Sequence, residues 1–231
     1  MAILMYHRIA EDGPASLSSW RVSLPDFEKQ IAWLASEGYT SIGLADWLNL
    51  AKRDPASAAR RVVLTFDDAY ADFVSAAFPV LQNYGFGATL FVPTGLIGAA
   101  AEWDREFGDP APLMSWAELD GLVSAGVEIG AHTMSHPRLT RLVDDAEIIR
   151  EISGSRNELM TRYGQPTSSF AYPFGDYDAR VEQATKDAGF TLAVTIDPQS
   201  AGDFAVGRLK VSGDESFATF VLKMEETVGG Q

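Results

Sequence analysis

The sequence predicts one α/β domain built on a parallel sheet, either a βα barrel or a doubly wound sheet. Three observations predict it. About seven short apolar or β-branched runs alternate with stretches of helical period along the chain. The 231 residues, 46% of them hydrophobic, supply the core of one large domain, and no linker, repeat or low-complexity tract divides residues 1–231. The residues able to do chemistry fall where strand patterns stop, at the C-terminal strand ends where both architectures bind ligands.

Residues 2–6 read as a buried strand that runs straight into His7 and Arg8, and residues 10–20, rich in Ser, Gly and Pro, read as loop. Ser23-Leu-Pro-Asp-Phe27 opens a helix, with Pro25 and Asp26 suited to its first turn. Phe27, Ile31 and Leu34 share one face of it, and Gly38 ends it. A second helix covers 44–52. The strand at 61–66 stops on Asp67-Asp68, a helix spans 70–84 up to Gly85, and a strand at 88–92 is halted by Pro93. Residues 95–112 lack a clear period, and a loop of this length in a compact domain is usually functional or mobile.

Ser115 and Glu118 have capping-box spacing ahead of a helix that ends at Gly126. The strand at 127–131 leads directly into His132. Residues 144–163 form a long helix, acidic early and arginine-rich late, as the helix dipole favours. A strand at 168–172 breaks at Pro173, a helix follows at 177–188, strands fall at 190–196 and 204–211, and a last helix runs over 214–228.

Composition excludes several functions. With 18 basic and 32 acidic residues the net charge is -14, which disfavours nucleic acid and anionic lipid as partners. The absence of cysteine removes disulfides, thiolate metal sites and a Cys nucleophile. No apolar run approaches the ~20 residues of a membrane span. Residues 1–6 are too short for a signal-peptide core, so the expected compartment is the cytoplasm, with export left open. Oligomeric state is not legible.

Two adjacent carboxylates at the end of an apolar strand are costly unless a cation or solvent meets them. Alternatively, Asp67 or Asp68 caps the helix that follows. His132-Thr-Met-Ser-His136 places two imidazoles four residues apart, a spacing that can aim both rings at one ion; both histidines bonded to backbone is the other reading. Two imidazoles and a carboxylate suit Zn²⁺, and also Co²⁺, Ni²⁺ or Mn²⁺. One acid would then ligate a single divalent ion while the other takes a proton from water.

Thr65-Phe-Asp-Asp68, His132-x-x-x-His136 and Phe170-Ala-Tyr-Pro-Phe-Gly175, in that order, resemble the polysaccharide deacetylases (the NodB-homology domain, carbohydrate esterase family 4). Gly87-Ala-Thr-Leu-Phe-Val-Pro93 and Val127-Glu-Ile-Gly-Ala-His132 are similar to that family's strands, so the resemblance covers nearly the whole chain. It implies a distorted (β/α)₇ barrel and hydrolysis of an N-acetyl, or an O-acetyl, group on a saccharide. It implies Asp67 as general base and Asp68, His132 and His136 as metal ligands. The Tyr172-Pro173-Phe174 turn would wall the groove, with the Tyr172 N–H sharing the oxyanion.

The chain departs from the family pattern twice. Ala171 stands where many members have an Arg, and no histidine follows His136, so the usual late general acid is missing. His7, on the first strand and beside the last in a barrel, is the candidate acid. Arg208, on a late strand, is the candidate partner for Asp67. Asp197, before Pro198, is read as a turn former in preference to a residue orienting a histidine. Trp103, Phe107, Tyr70 and Tyr177 are candidate stacking faces for sugar rings, while Trp116, Trp20, Trp33 and Trp47 are read as packing residues. Two alternatives remain at this stage. One is a barrel hydrolase of another C–N substrate, such as a cyclic amide, a ureide or a formylated sugar. The other is a carbohydrate-binding barrel without turnover.

Overall fold

One curled sheet of eight parallel strands organises the computed structural model, which describes residues 2–53, 60–164 and 167–229. Its strands are β1 (Ala2–Tyr6), β4 (Thr40–Ser41), β5 (Arg61–Phe66), β6 (Thr89–Val92), β7 (Glu128–Ala131), β8 (Ser169–Ala171), β9 (Leu192–Val194) and β10 (Leu209–Lys210). The order is β10-β1-β5-β6-β7-β8-β9, with β4 added on β5. A separate short pair, β2 (Arg8–Ile9) and β3 (Arg21–Val22), braces the chain after β1. The helices are α1 (Leu24–Ser36), α2 (Leu44–Arg53), α3 (Phe78–Tyr84), α4 (Trp116–Ser124), α5 (Asp145–Tyr163), α6 (Ala179–Asp187) and α7 (Phe217–Gly229). This is the expected single-domain βα barrel, distorted, with seven strands along its main path.

Side chains alternate across each strand, and this sorts the core into two parts. Val62, Leu64 and Phe66 of β5 face the helices with Leu4, Tyr6, Phe27 and Phe73, all buried. Val63 faces the barrel interior with Ile3, Phe91, Ala171 and Val194. The same alternation turns Thr65 and then Asp67 inward, so the inner row of β5 ends on a carboxylate at the barrel mouth.

The late strands are shorter than their apolar patterns suggest because the segment before β10 changes partner. Val206 pairs with β9, exchanging backbone bonds of 2.9 Å with Ala193 and Thr195, whereas Leu209 and Lys210 pair with β1. The crossing ties the two ends of the sheet together and places Arg208 at the seam.

The helix expected over 70–84 also differs. Phe73–Ala77 winds as a wider π-type turn, and α3 begins only at Phe78. Pro79 has no N–H for the helical ladder, which accounts for the irregular winding before it. Residues 10–20 are more ordered than their composition implies, since 3₁₀ winding over Ala15–Trp20 delivers the chain to β3. The Ser115–Glu118 capping box forms as its spacing predicts, and the structure adds side-chain caps by Ser23 on α1 and by Asp144 on α5, which begins one residue later than expected. Among the described residues no helix is long and apolar enough to cross a membrane.

Candidate active site

β5 supplies the first two groups. The Asp67 N–H donates to the Tyr6 carbonyl at 3.1 Å, continuing the β1 ladder and fixing the carboxylate inward. Asp68 (φ 75) and Ala69 (φ 58) then both take left-handed backbone, a costly state for non-glycine residues that persists where surroundings enforce it. Here the long loop enforces it. The Met114 N–H donates to the Ala69 carbonyl at 2.9 Å, and Leu113 bridges to Tyr70. The reversal swings the Asp68 side chain away from Asp67 and towards β7.

β7 supplies the imidazoles. The His132 N–H extends the ladder to the Val92 carbonyl at 3.0 Å, and its Nδ1 lies 2.7 Å from the Ala171 carbonyl. A carbonyl only accepts, so Nδ1 carries the proton and, in the neutral ring, Nε2 presents a lone pair. His132 Nε2 and His136 Nε2 each lie 3.2 Å from Asp68 Oδ1, yet that buried oxygen has no aligned hydrogen-bond donor among the described residues. Ligand atoms of these three residues all fall within 4.8 Å of one another. Three electron-pair donors facing one point in a buried site are what a divalent cation relieves, and the mixed N/O set suits zinc. The residues therefore fit the metal that the sequence predicts. The Nδ1–carbonyl bond of His132 is the outer contact that orients such a ligand.

Asp67 has different surroundings. Arg208 grips it with two bonds of 2.7 Å, Nη1 to Oδ1 and Nη2 to Oδ2. The other guanidinium donors reach the Thr65 hydroxyl at 3.0 Å and the Thr195 carbonyl at 3.2 Å, so this fully buried cation is satisfied by fork geometry. Burial alone would raise the Asp67 pKa; the Arg208 charge and bonds more than offset this and hold the carboxyl below its ordinary range. Burial also opposes ionisation of Asp68, but the adjacent His136 and His132 take it well below the ordinary value. The backbone carbonyl of Ala171 orients His132 from the place where the family pattern has its Arg, and Arg208 reaches Asp67 from the opposite end of the sheet.

His7 stands on the other side of Asp67, its Nε2 4.0 Å from Asp67 Oδ2. Burial, only partly opposed by Asp68 and Asp67, lowers its pKa from the usual histidine value. Trp20 packs its edge against His7 with ring centres 4.7 Å apart, and the Lys210 ammonium lies 3.3 Å above the Trp20 ring. Asp67, Asp68, His132, His136 and His7 line one cleft of about 490 Å³, and Arg208 lies behind Asp67.

Several wall assignments need correction. The Tyr172 N–H is not free for an oxyanion, because it donates to the Val194 carbonyl at 3.3 Å as the sheet ladder continues past β8. Its ring stacks on Tyr177 at 4.7 Å and its hydroxyl donates to the Phe204 carbonyl, so Tyr172 and Tyr177 form a packed base. Tyr70 is part of the cleft wall but 4% exposed, buried against Ala101 and Leu113, donating to Asp104 at 2.8 Å and with Arg8 over its ring, so it serves there mainly as a packed side chain. Trp20, read as a packing residue, lines the cleft. Pro173 begins a buried turn that sets Phe174 (φ 60) at the mouth, 4.7 Å from the His136 ring, with Arg138 over its other side at 4.0 Å. Trp103 covers His136 at 4.1 Å, and Phe107 lies exposed at the rim. Trp116 carries Arg162 over its ring and lies outside the cleft. Asp197 accepts from the Gln199 N–H and the Ser200 hydroxyl, an ordinary turn.

A βα barrel with a buried carboxylate–imidazole triad beside an Arg-paired acid defines a hydrolase of the carbohydrate esterase kind. Residues 54–193 match the Polysaccharide deacetylase family model, and the chain belongs to that family. It is 29% identical over 229 residues to YxkH of Bacillus subtilis (strain 168), which carries a provisional polysaccharide deacetylase name, covering 97% of this chain and 76% of that one. It is 25% identical over 234 residues to the poly-beta-1,6-N-acetyl-D-glucosamine N-deacetylase of Staphylococcus aureus (strain MRSA252), covering 91% and 78%. Among solved structures, the deacetylase PplD of Streptococcus pyogenes, in complex with acetate, superposes with a TM-score of 0.84 at 26% identity, over 97% of this chain and 98% of that one.

Proposed function

We propose that the protein removes acetyl groups from N-acetylated saccharides, with one divalent ion, zinc foremost, held by Asp68, His132 and His136. The observation that carries this reading is the unpaired Asp68 oxygen, faced by two imidazole nitrogens and set beside a carboxylate kept ionised by Arg208. A module that merely binds sugar has no use for either arrangement. When bound, the ion polarises the acetyl carbonyl and makes water a stronger nucleophile at neutral pH.

The protein's own groups do the rest. Asp67 is the general base. Arg208 occupies one lone pair on each of its oxygens and leaves another on Oδ2 facing the cleft, where it takes the proton of the attacking water. The water oxygen bonds to the acyl carbon, the C–N bond breaks, and the proton goes to the departing amine. His7, 4.0 Å from Oδ2, is the group placed to hand it over. Trp103, Phe107 and Phe174 wall the cleft and present apolar surface to the sugar.

Purified protein loaded with zinc should release acetate from a poly-N-acetylglucosamine oligomer, and a chelator should abolish the release. Zinc at about a hundred times its dissociation constant should also stabilise the fold by about 2.7 kcal/mol, a rise in Tm that Asp68→Asn loses. A chelated protein with full activity would end the metal reading. His7→Ala should lower kcat by at least about tenfold with little change in Tm, below the usual range of general acid–base effects because water can replace part of the role. Unchanged kcat would make His7 a packing residue.

A further inference from the structure

The loop that carries both imidazoles has no regular structure. Two of its residues, Thr133 (φ 66) and His136 (φ 58), hold left-handed backbone that side chains rarely adopt. His132 is anchored independently, by the β7 ladder and by the Ala171 carbonyl. His136 has no such anchor on its ring, since its buried Nδ1 has no partner among the described residues. The rings of Trp103 and Phe174 flank it and the Thr133 hydroxyl accepts the His136 N–H at 2.9 Å, but no hydrogen bond among the described residues fixes the ring itself, so its placement depends on the path of the chain from Thr133 through Met134 and Ser135.

That path is gripped from both sides. On one side stands Glu151, in the second turn of α5. Its Oε2 accepts the Met134 N–H at 3.0 Å and the Ser135 N–H at 2.8 Å, and its Oε1 accepts the Ser135 hydroxyl at 2.7 Å. Three residues further along α5, Gly154 makes room, because a Cβ there would stand 2.3 Å from Met134 Sδ. On the other side, in the turn Thr94–Leu96, the Thr94 N–H donates to the Thr133 carbonyl at 3.1 Å and the Gly95 N–H to the Met134 carbonyl at 2.9 Å. The Met134 peptide thus has both its donor and its acceptor taken by neighbouring elements.

We propose that Glu151 is a positioning residue for the metal site. Its carboxylate, accepting three hydrogen bonds, sets the left-handed course of the loop and so brings His136 Nε2 to Asp68. It touches neither imidazole and takes no part in the chemistry. The inference rests on the metal reading above. A carboxylate suits the task, since one oxygen can accept two amides while the other takes the hydroxyl, and charge-assisted bonds are the stronger kind. Without it the loop is free to relax towards ordinary backbone angles and to carry His136 out of range, while His132 and Asp68 stay in place.

The test is zinc affinity, measured by competition with a chromophoric chelator, alongside the Tm of metal-free protein. Glu151→Ala should weaken zinc binding about 10- to 100-fold, the usual cost of losing an outer contact of a metal site. Its metal-free Tm should fall only modestly, because two of the three freed donors are exposed to water and Ala suits the helical position. Glu151→Gln should restore most of the affinity, its amide oxygen accepting both N–H groups and its NH₂ donating to the Ser135 hydroxyl. Glu151→Ala within about threefold of the wild type would overturn the proposal, as would a Gln variant as weak as Ala. If the Ala variant does not fold, Glu151→Asp, one methylene short of the loop, is judged by the same criteria. A wild type that binds no zinc would overturn the metal reading and this inference with it; a wild type and Ala variant that bind alike would overturn this inference alone.

Discussion

Asp67→Asn should yield a protein that binds zinc as the wild type does and releases acetate at least about a hundredfold more slowly, the lower end of what a general base contributes. The substitution keeps the shape of the side chain and removes only its capacity to take a proton. Metal affinity is the control that separates the two carboxylates, because Asp68, not Asp67, faces the imidazoles. Tm falls as well, since Arg208 keeps its charge and meets an amide where it had a bidentate acceptor. Rates should therefore be compared well below the transition. Full turnover in Asp67→Asn would remove Asp67 from the chemistry; loss of zinc would mean that the roles of the two acids are divided otherwise.

Arg208→Met is the largest expected effect on stability. A satisfied buried ion pair adds little over apolar packing, but deleting one partner leaves an uncompensated charge and costs about 3–5 kcal/mol. For a chain of this size that lowers Tm by roughly 2–4 °C per kcal/mol. Combining Arg208→Met with Asp67→Asn should recover part of the loss, since a neutral amide no longer needs the cation; a double-variant thermal melt reads this directly. Purely additive losses would show that the pair is not coupled. Arg208→Lys is not a conservative control, because a single ammonium cannot form the fork that holds both carboxylate oxygens.

What the sequence showed and what it hid follow from the range of the interactions. The strand at 61–66 stopping on Asp67-Asp68 was legible because an apolar run that meets two acids is a local pattern. The triad was legible because a strand ending on acids and another ending on His132 point to one mouth in any parallel βα fold. Arg208 was reached as the late-strand arginine able to stand in for the one the family pattern has at Ala171, although its partner lies 141 residues away. Trp20 was misplaced because the pairing of β2 with β3 and the packing against His7 are tertiary, and no period in residues 10–20 encodes them. The Tyr172 amide was lost to a ladder bond whose partner, Val194, lies in a strand shorter than its pattern. Tyr70 was a candidate stacking face, and its burial was not legible because the long loop that folds back over it pairs through a tertiary bridge to Leu113. Glu151 left no trace, since a glutamate on a helix is ordinary until the loop across from it is known.

The seam at Arg208 also gives the site a history during synthesis. Asp67 emerges 141 residues before its cation, and at about 5–20 residues per second the ribosome needs roughly 7–30 s to deliver it. Throughout that interval β1 and β5 can pair, but Asp67 at their carboxylate end has no guanidinium to meet it. The last strand to arrive both closes the sheet and supplies the counter-charge, so a nascent chain stopped before it has the three triad residues, Asp67 and His7 without the cation that pairs with Asp67. On the roles proposed for Asp67 and Arg208, chemical competence would depend on completion of the barrel, and turnover would serve as a readout of the final step of folding.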